Sequence, residues 1–157
     1  MCLVEGTLLS EGRGTTSPFE QIGAPFINGE TLAKTLNEED LPGLFVRPQY
    51  FKPQFQKWSG KVCGGVQLHI TDRDKFKPLL TSIAVLYSIK ELYPNDFAWR
   101  TEPYEFVSDR LAIDLLYGSS ALREEIESEN LSLNDLESDL QEETKQFLPQ
   151  REEYLIY

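Results

Sequence analysis

Four consecutive residues near the start of the chain, Glu11, Gly12, Arg13 and Gly14, combine parts suited to holding an anion. Glycines let the backbone turn its N–H groups toward a ligand with no side chain in the way, and successive N–H groups form an anion-binding nest. An arginine between them adds a planar fork matched to a carboxylate or a phosphate. The same residues also suit a tight turn whose Arg13 pairs with a neighbouring acid. Two phosphate-binding patterns are excluded. No GK[ST] follows, so this is not a P-loop, and the GxG lacks the third glycine of a dinucleotide fingerprint. Glu11 is the best local candidate for a glycosidase carboxylate, because it lies in a glycine loop and not on a charged helix. Such an enzyme needs two placed carboxyl groups, and no convincing second one is found in the chain.

A second polar set lies in the middle of the sequence. In "VQLHIT" (66–71), Val66, Leu68 and Ile70 alternate with Gln67, His69 and Thr71, so Gln67 and His69 share the face opposite the core. Arg47 belongs to the preceding extended stretch. Arg47, Gln67 and His69 suit sugar hydroxyls, amides and charges, though a lone strand histidine is also a common structural residue. As a set they make poor metal ligands. "TDRD" (71–74) reads as a helix start with Thr71 or Asp72 as its cap and Arg73 pairing locally. In "YEFVSDRLAID", which holds Glu105 and Asp109, Arg110 and Asp114 are four apart, the spacing of an ion pair on one helix face.

These residues need elements to position them. "LVEGTLL" (3–9) is apolar enough for a strand, and 10–26 reads as a loop. "NGETLAKTLNEE" predicts a helix with Leu32 and Leu36 on one face. "LFVRPQYFKP" (44–53), interrupted by proline, predicts an edge strand or two short ones. "QFQKWSGKVCGG" reads as a loop with a glycine turn before the strand at 66–71. A largely buried helix is expected from Asp72 to just before Pro94, and a short one over 109–117 closed by Gly118. "SALREEIES" is a further helix. Ser132 starts the last, with Asp135 at capping spacing and an apolar stripe of Leu133, Leu136, Leu140 and Phe147. The order predicts an α+β fold: a small mixed sheet packed by helices, with a helical C-terminal tail.

The chain has 157 residues, enough for one domain, and 40% hydrophobic residues with nine Phe and seven Tyr can bury a sizeable core. The net charge of −11 is unevenly spread: residues 1–100 carry eleven acids and eleven bases, residues 101–157 fifteen acids and four bases. The acidic third reads as a solvated helical surface, and the charge argues against a nucleic-acid partner. No apolar run is long enough for a membrane span, and the first residues lack a signal-peptide pattern. The two cysteines, Cys2 and Cys63, make neither a disulfide framework nor a zinc pattern, and Cys63 reads as a buried free thiol.

Several long stretches together resemble one family. "EGTLLSEGRGTTSPFEQIGAPF", "RPQYFKPQFQKWSGKVCGGVQLHITDRDKFKP", "YEFVSDRLAIDLLYGS" and the ending "REEYLIY" are similar to the C-terminal part of the NamZ-type exo-β-N-acetylmuramidases. These bacterial peptidoglycan-recycling glycosidases release terminal N-acetylmuramic acid from cell-wall fragments. The resemblance implies that residues 1–157 are the C-terminal domain of a two-domain enzyme. A Rossmann-like N-terminal domain, absent here, would carry the principal catalytic glutamates and meet this domain in cis or in trans across the substrate cleft. It implies a muramic-acid-containing glycan as partner, no metal and no cofactor, and full-length relatives exported to the cell envelope. On that reading Glu11 is an accessory catalytic residue, and Gly12, Arg13, Gly14, Thr15, Arg47, Gln67 and His69 bind substrate, with Arg13 suited to the lactyl carboxylate. Asp72, Arg73 and Asp109 would hold loops in place. A non-catalytic muramyl-glycan binding module, or an inactive remnant, is the alternative.

Overall fold

The computed structural model describes residues 2–128 and 131–156. Its sheet has three strands, β1 (Gln21–Ala24), β2 (Leu44–Phe51) and β3 (Cys63–Ile70), in the order β1-β3-β2. The α+β class and the helical C-terminal end are as expected, but the sheet is antiparallel throughout and not mixed. The physical reason lies in the connections. The loop 52–62 returns β3 directly alongside β2, and a short return enforces antiparallel pairing. Strand β1 then pairs on the other side of β3, so β1 and β2 are never neighbours.

β2 is one continuous edge strand that accommodates Pro48, as its sequence suggests. Helix α1 (Gly29–Glu38) protects that edge. The Asn37 amide donates to the Val46 carbonyl at 2.7 Å and accepts from the Val46 N–H at 3.0 Å. Pro48, two residues on, has no N–H to satisfy. Asn28 caps α1 by accepting from the Thr31 N–H, and Leu32 and Leu36 are buried with Ile22, Val46, Val66 and Leu68. Helix α2 (Pro78–Leu92) packs on α1 and on the chain start, and is buried around most of its circumference.

Other expectations needed correction. "LVEGTLL" is not a strand. Cys2–Gly6 forms a 3-10 turn that packs on α2 and against the Ile113 backbone, where a Cβ on Gly6 would come within 2.8 Å. Strand β1 lies within the expected loop 10–26, and at four residues it is too short to show a period. The expected glycine turn is at Gly60, with φ 73°, but β3 starts earlier than expected, at Cys63, and includes Gly64 and Gly65. Ile70, assigned to the core face, is at the strand end and 50% exposed.

Helix α2 begins at Pro78, not Asp72. Residues 73–75 form a turn in which Asp72 Oδ1 accepts from the N–H groups of Asp74 and Lys75, so neither Thr71 nor Asp72 caps a helix. Proline is favourable in the first turn, but it disfavours helical backbone at the preceding residue; Lys77 is accordingly extended.

Helix α3 (Ala112–Tyr117) ends at Gly118, whose φ of 99° needs glycine. The expected Arg110–Asp114 pair does not form. Asp114 instead takes both arms of Arg123, from helix α4 (Ala121–Glu127), at 2.9 and 3.1 Å. This bidentate pair ties α3 to α4 and is largely shielded. Asp114→Asn is expected to cost about 1–2 kcal/mol in urea denaturation, whereas Arg110→Ala should be silent. Equal effects of the two substitutions would contradict this assignment.

The last helix, α5 (Leu133–Glu152), starts at Ser132, which accepts from the Asp135 N–H as expected. Its stripe packs only near the start. Leu136 is buried and Leu133 and Leu140 are partly buried, but Phe147 is 57% exposed. The helix runs past the end of the core it packs on.

Cys63 is fully buried, and burial pushes its thiol up to about 11. It should stay unmodified by a thiol reagent at neutral pH while exposed Cys2 reacts. Two fast-reacting thiols per folded chain would contradict the burial.

Candidate functional site

The Glu11 loop is stitched to the free edge of β1. Ser10 and Gly23 exchange both backbone hydrogen bonds, at 2.8 and 3.0 Å. The chain then folds back across the sheet. Gly12, at φ 70°, lies over Gln21, where a Cβ would come within 3.1 Å of that side chain. Gly14, at φ 80°, abuts Gln54, where a Cβ would approach to 2.6 Å. Thr15 closes the turn by donating its hydroxyl to the Gly12 carbonyl at 2.6 Å, and the Gly12 N–H is taken by the Ser10 hydroxyl.

Within this loop Arg13 is engaged by two acids. Its Nε donates to Glu11 Oε1 at 2.6 Å, its Nη2 lies 3.2 Å from Glu5 Oε1, and the guanidinium stacks on Phe19. Of the two readings of the glycine loop, the geometry is that of the tight turn with a paired arginine. Glu11 is only 2% exposed and has a second cation: Lys57 Nζ is 2.9 Å from Oε2. Lys57 also donates to the carbonyls of Val4 and Thr7, at 3.0 and 3.1 Å, so the ammonium is held by the carboxylate and two backbone acceptors.

Burial pushes the Glu11 carboxyl up, but the hydrogen bonds from Lys57 and Arg13 outweigh it and hold the group below its ordinary 4.5. For Lys57 burial is the larger influence and pushes the ammonium down, opposed by Glu11. A carboxylate touching two cations stays ionised, and so does the ammonium beside it.

These groups form part of the wall of an open cleft of about 610 Å³. Residues 99 and 100 bring the opposite side. The Leu8 N–H donates to the Ala98 carbonyl and the Arg100 N–H to the Gly6 carbonyl. Arg100 stacks over Tyr104, whose hydroxyl donates to Glu5 Oε2 at 3.2 Å. A continuous chain of contacts therefore runs Lys57–Glu11–Arg13–Glu5–Tyr104–Arg100. Several non-glycine residues at this cleft have left-handed backbone: Gln56 and Glu105 on its wall, and Trp58 and Phe106 next to them. Such conformations are costly and tend to gather where function needs them.

Arg47, Gln67 and His69 do not line this cleft. Arg47 and Gln67 face each other across β2 and β3 and are joined at 2.7 Å, while His69 lies opposite Phe45. His69 instead borders a smaller hollow with Glu20, Arg73 and Phe76. Arg73 makes no ion pair among the described residues, and Asp109 is exposed. Glu5, Lys57, Arg100 and Tyr104 were not apparent as site residues in the sequence. Glu5 did leave a signal, as the one charge in an apolar segment. Lys57 left none, since its partners are far away in the chain, and Arg100 left none, since its place at the cleft depends on the backbone bond to distant Gly6.

Comparison with known proteins agrees with this architecture. A family described as "Exo-beta-N-acetylmuramidase NamZ, C-terminal" matches residues 1–157. The chain is 44% identical over 155 residues to the peptidoglycan β-N-acetylmuramidase NamZ of Bacillus subtilis, covering 99% of this chain but 35% of that protein. Crystal structures of two DUF1343 family proteins from Bacteroides fragilis have the same fold, with TM-scores of 0.79 and 0.66 at 26% and 25% identity. They are matched over 99% and 100% of this chain, and over 40% and 38% of their own lengths.

Proposed function

Because this chain belongs to the family of NamZ exo-β-N-acetylmuramidase C-terminal domains, we propose that it forms one wall of the substrate cleft of such an enzyme. The chain spans about a third of the length of its Bacillus subtilis relative, so the remaining wall comes from the rest of the protein, in cis or in trans. The substrate on this reading is a peptidoglycan fragment ending in N-acetylmuramic acid, and the reaction is hydrolysis of its terminal glycosidic bond.

The observation that carries the reading is Glu11, buried between two cations in the wall of an open polar cleft. Placing a charge network there is costly, and an ordinary surface turn does not need it. Its direction of shift limits its role. A general acid needs a carboxyl held above the usual range, whereas Glu11 is held below it. Glu11 therefore serves as an accessory: it stays ionised, fixes Arg13 and Lys57, and orders the sugar-facing loop of Gly12, Gly14 and Thr15. The acid and base carboxyls belong to the other wall. Arg47, Gln67 and His69 form a polar strip on the outer sheet face that extends the surface offered to the glycan.

The test is an exo-muramidase assay on a chromogenic N-acetylmuramic acid glycoside. This chain, the N-terminal portion of the Bacillus subtilis relative, and their mixture are compared. Activity in the mixture alone supports the cleft-wall reading. Activity of this chain alone would place the catalytic carboxyls within it and overturn that reading. An inactive mixture in which the folded chain still binds N-acetylmuramic acid would identify a binding module instead.

A further inference from the structure

We infer that Arg100, and not Arg13, receives the anionic group of the ligand, with Arg13 acting as a positioning residue. This inference rests on the cleft-wall reading above and assigns the specificity-determining cation within it. Three cations line the cleft, and they differ in how fully they are used. Lys57 is turned inward, paired with Glu11 and donating to two backbone carbonyls. Arg13 is bound by Glu11 and Glu5, so its charge is already neutralised, and its fork is aimed at the protein.

Arg100 differs in both respects. Its closest acid is Glu102, 3.8 Å from Nε, with a side chain that is 67% exposed and free to swing aside. Its only side-chain hydrogen bond among the described residues is a long one, 3.3 Å, from Nη2 to the Pro103 carbonyl. A guanidinium has five N–H donors, so most of this fork remains available to a carboxylate. Its placement is nonetheless firm. The backbone is bonded to Gly6 and the guanidinium rests on the Tyr104 ring, whose hydroxyl is held by Glu5. A stacked, pre-placed guanidinium loses little freedom when it forms a bidentate contact. The ligand class is a sugar bearing a carboxylate, as N-acetylmuramic acid does and N-acetylglucosamine does not.

Glu102 also makes the assignment testable, because it competes with the ligand for Arg100. The protein for the test joins this chain to the N-terminal portion of the Bacillus subtilis relative. Hydrolysis of the muramic acid glycoside is measured with free N-acetylmuramic acid or N-acetylglucosamine as competitor. Arg100→Gln is expected to raise KM and the N-acetylmuramic acid inhibition constant about 10- to 100-fold, the loss of one charged hydrogen-bonded contact. Inhibition by N-acetylglucosamine should be unchanged. Arg100→Lys should retain part of the affinity, and Glu102→Gln should lower KM by removing the competitor. Thermal melts verify that each variant is folded.

An active wild-type fusion whose KM is insensitive to Arg100→Gln overturns the inference and leaves the cleft-wall reading standing. Equal weakening of both competitors also overturns it, because a neutral sugar should not sense the lost charge. A folded fusion with neither hydrolysis nor binding sinks the cleft-wall reading, and the assignment of Arg100 falls with it.

Discussion

Gly65→Ala is expected to destabilise the domain by roughly 3 kcal/mol or more, the upper range for forcing extra atoms into a packed interior. A Cβ at Gly65 would stand 2.0 Å from the Ile22 carbonyl oxygen and 2.7 Å from the Gly23 Cα. Both obstacles are backbone of the neighbouring strand, so no rotamer change can relieve the overlap. The pattern is reciprocal. A Cβ at Gly23 would meet the Gly64 oxygen at 2.2 Å, and one at Gly64 would meet the Ile27 oxygen at 2.0 Å. Glycines on facing strands thus let β1, β3 and the entry to α1 approach more closely than side chains permit. For a chain of this size the loss corresponds to a melting temperature lower by roughly 6–12 °C. Gly60→Ala is the control. Gly60 also has positive φ, at 73°, but no atom lies within 4 Å of a Cβ there, so only about 1 kcal/mol of backbone strain is expected. Indistinguishable melts for the two variants would refute the close-packing argument.

Glu11→Gln is expected to cost about 3 kcal/mol, because it leaves Lys57 and Arg13 around a neutral amide in a shielded site. The effect should depend on pH with a definite sign. Folding holds the Glu11 carboxyl below its ordinary 4.5, so the charged form stabilises the fold. That contribution is fully present above about pH 4.5 and is lost as pH falls through the lower folded value. The difference in urea-unfolding free energy between wild type and Glu11→Gln should therefore be constant near neutrality and shrink on acidification. A difference that is small at neutral pH, or that grows toward acid, would mean the two ion pairs do not stabilise the domain.

Local pattern made part of this molecule legible. Leu32 and Leu36 marked the inner face of α1, Ser132 with Asp135 marked the start of α5, and Gly118 marked the end of α3. Each signal arises within a few residues, because capping and helical periodicity are short-range effects. The reading failed where short-range signals conflicted with packing. "LVEGTLL" looked like a strand by composition, yet Cys2–Gly6 is a 3-10 turn seated on α2 and α3, elements from far along the chain. "QFQKWSGKVCGG" read as a loop to its end, yet its last two glycines are strand positions whose need arises only when β1 and α1 press against them.

The candidate site divides in the same way. The unusual chemistry of Glu11 and the glycine loop, and the family resemblance that spans the chain, were contained in the order of residues alone. The partners of Glu11 were not. Arg13 is two residues away, but Lys57 is 46 positions further on, and Arg100 reaches the same cleft through backbone bonds to Gly6. Local sequence does not encode which distant charge will meet a buried carboxylate, since that depends on how the loop 52–62 and the segment 98–106 close over the chain start. Only the packed arrangement distinguishes the arginine whose charge is already spent from the one whose donors remain open.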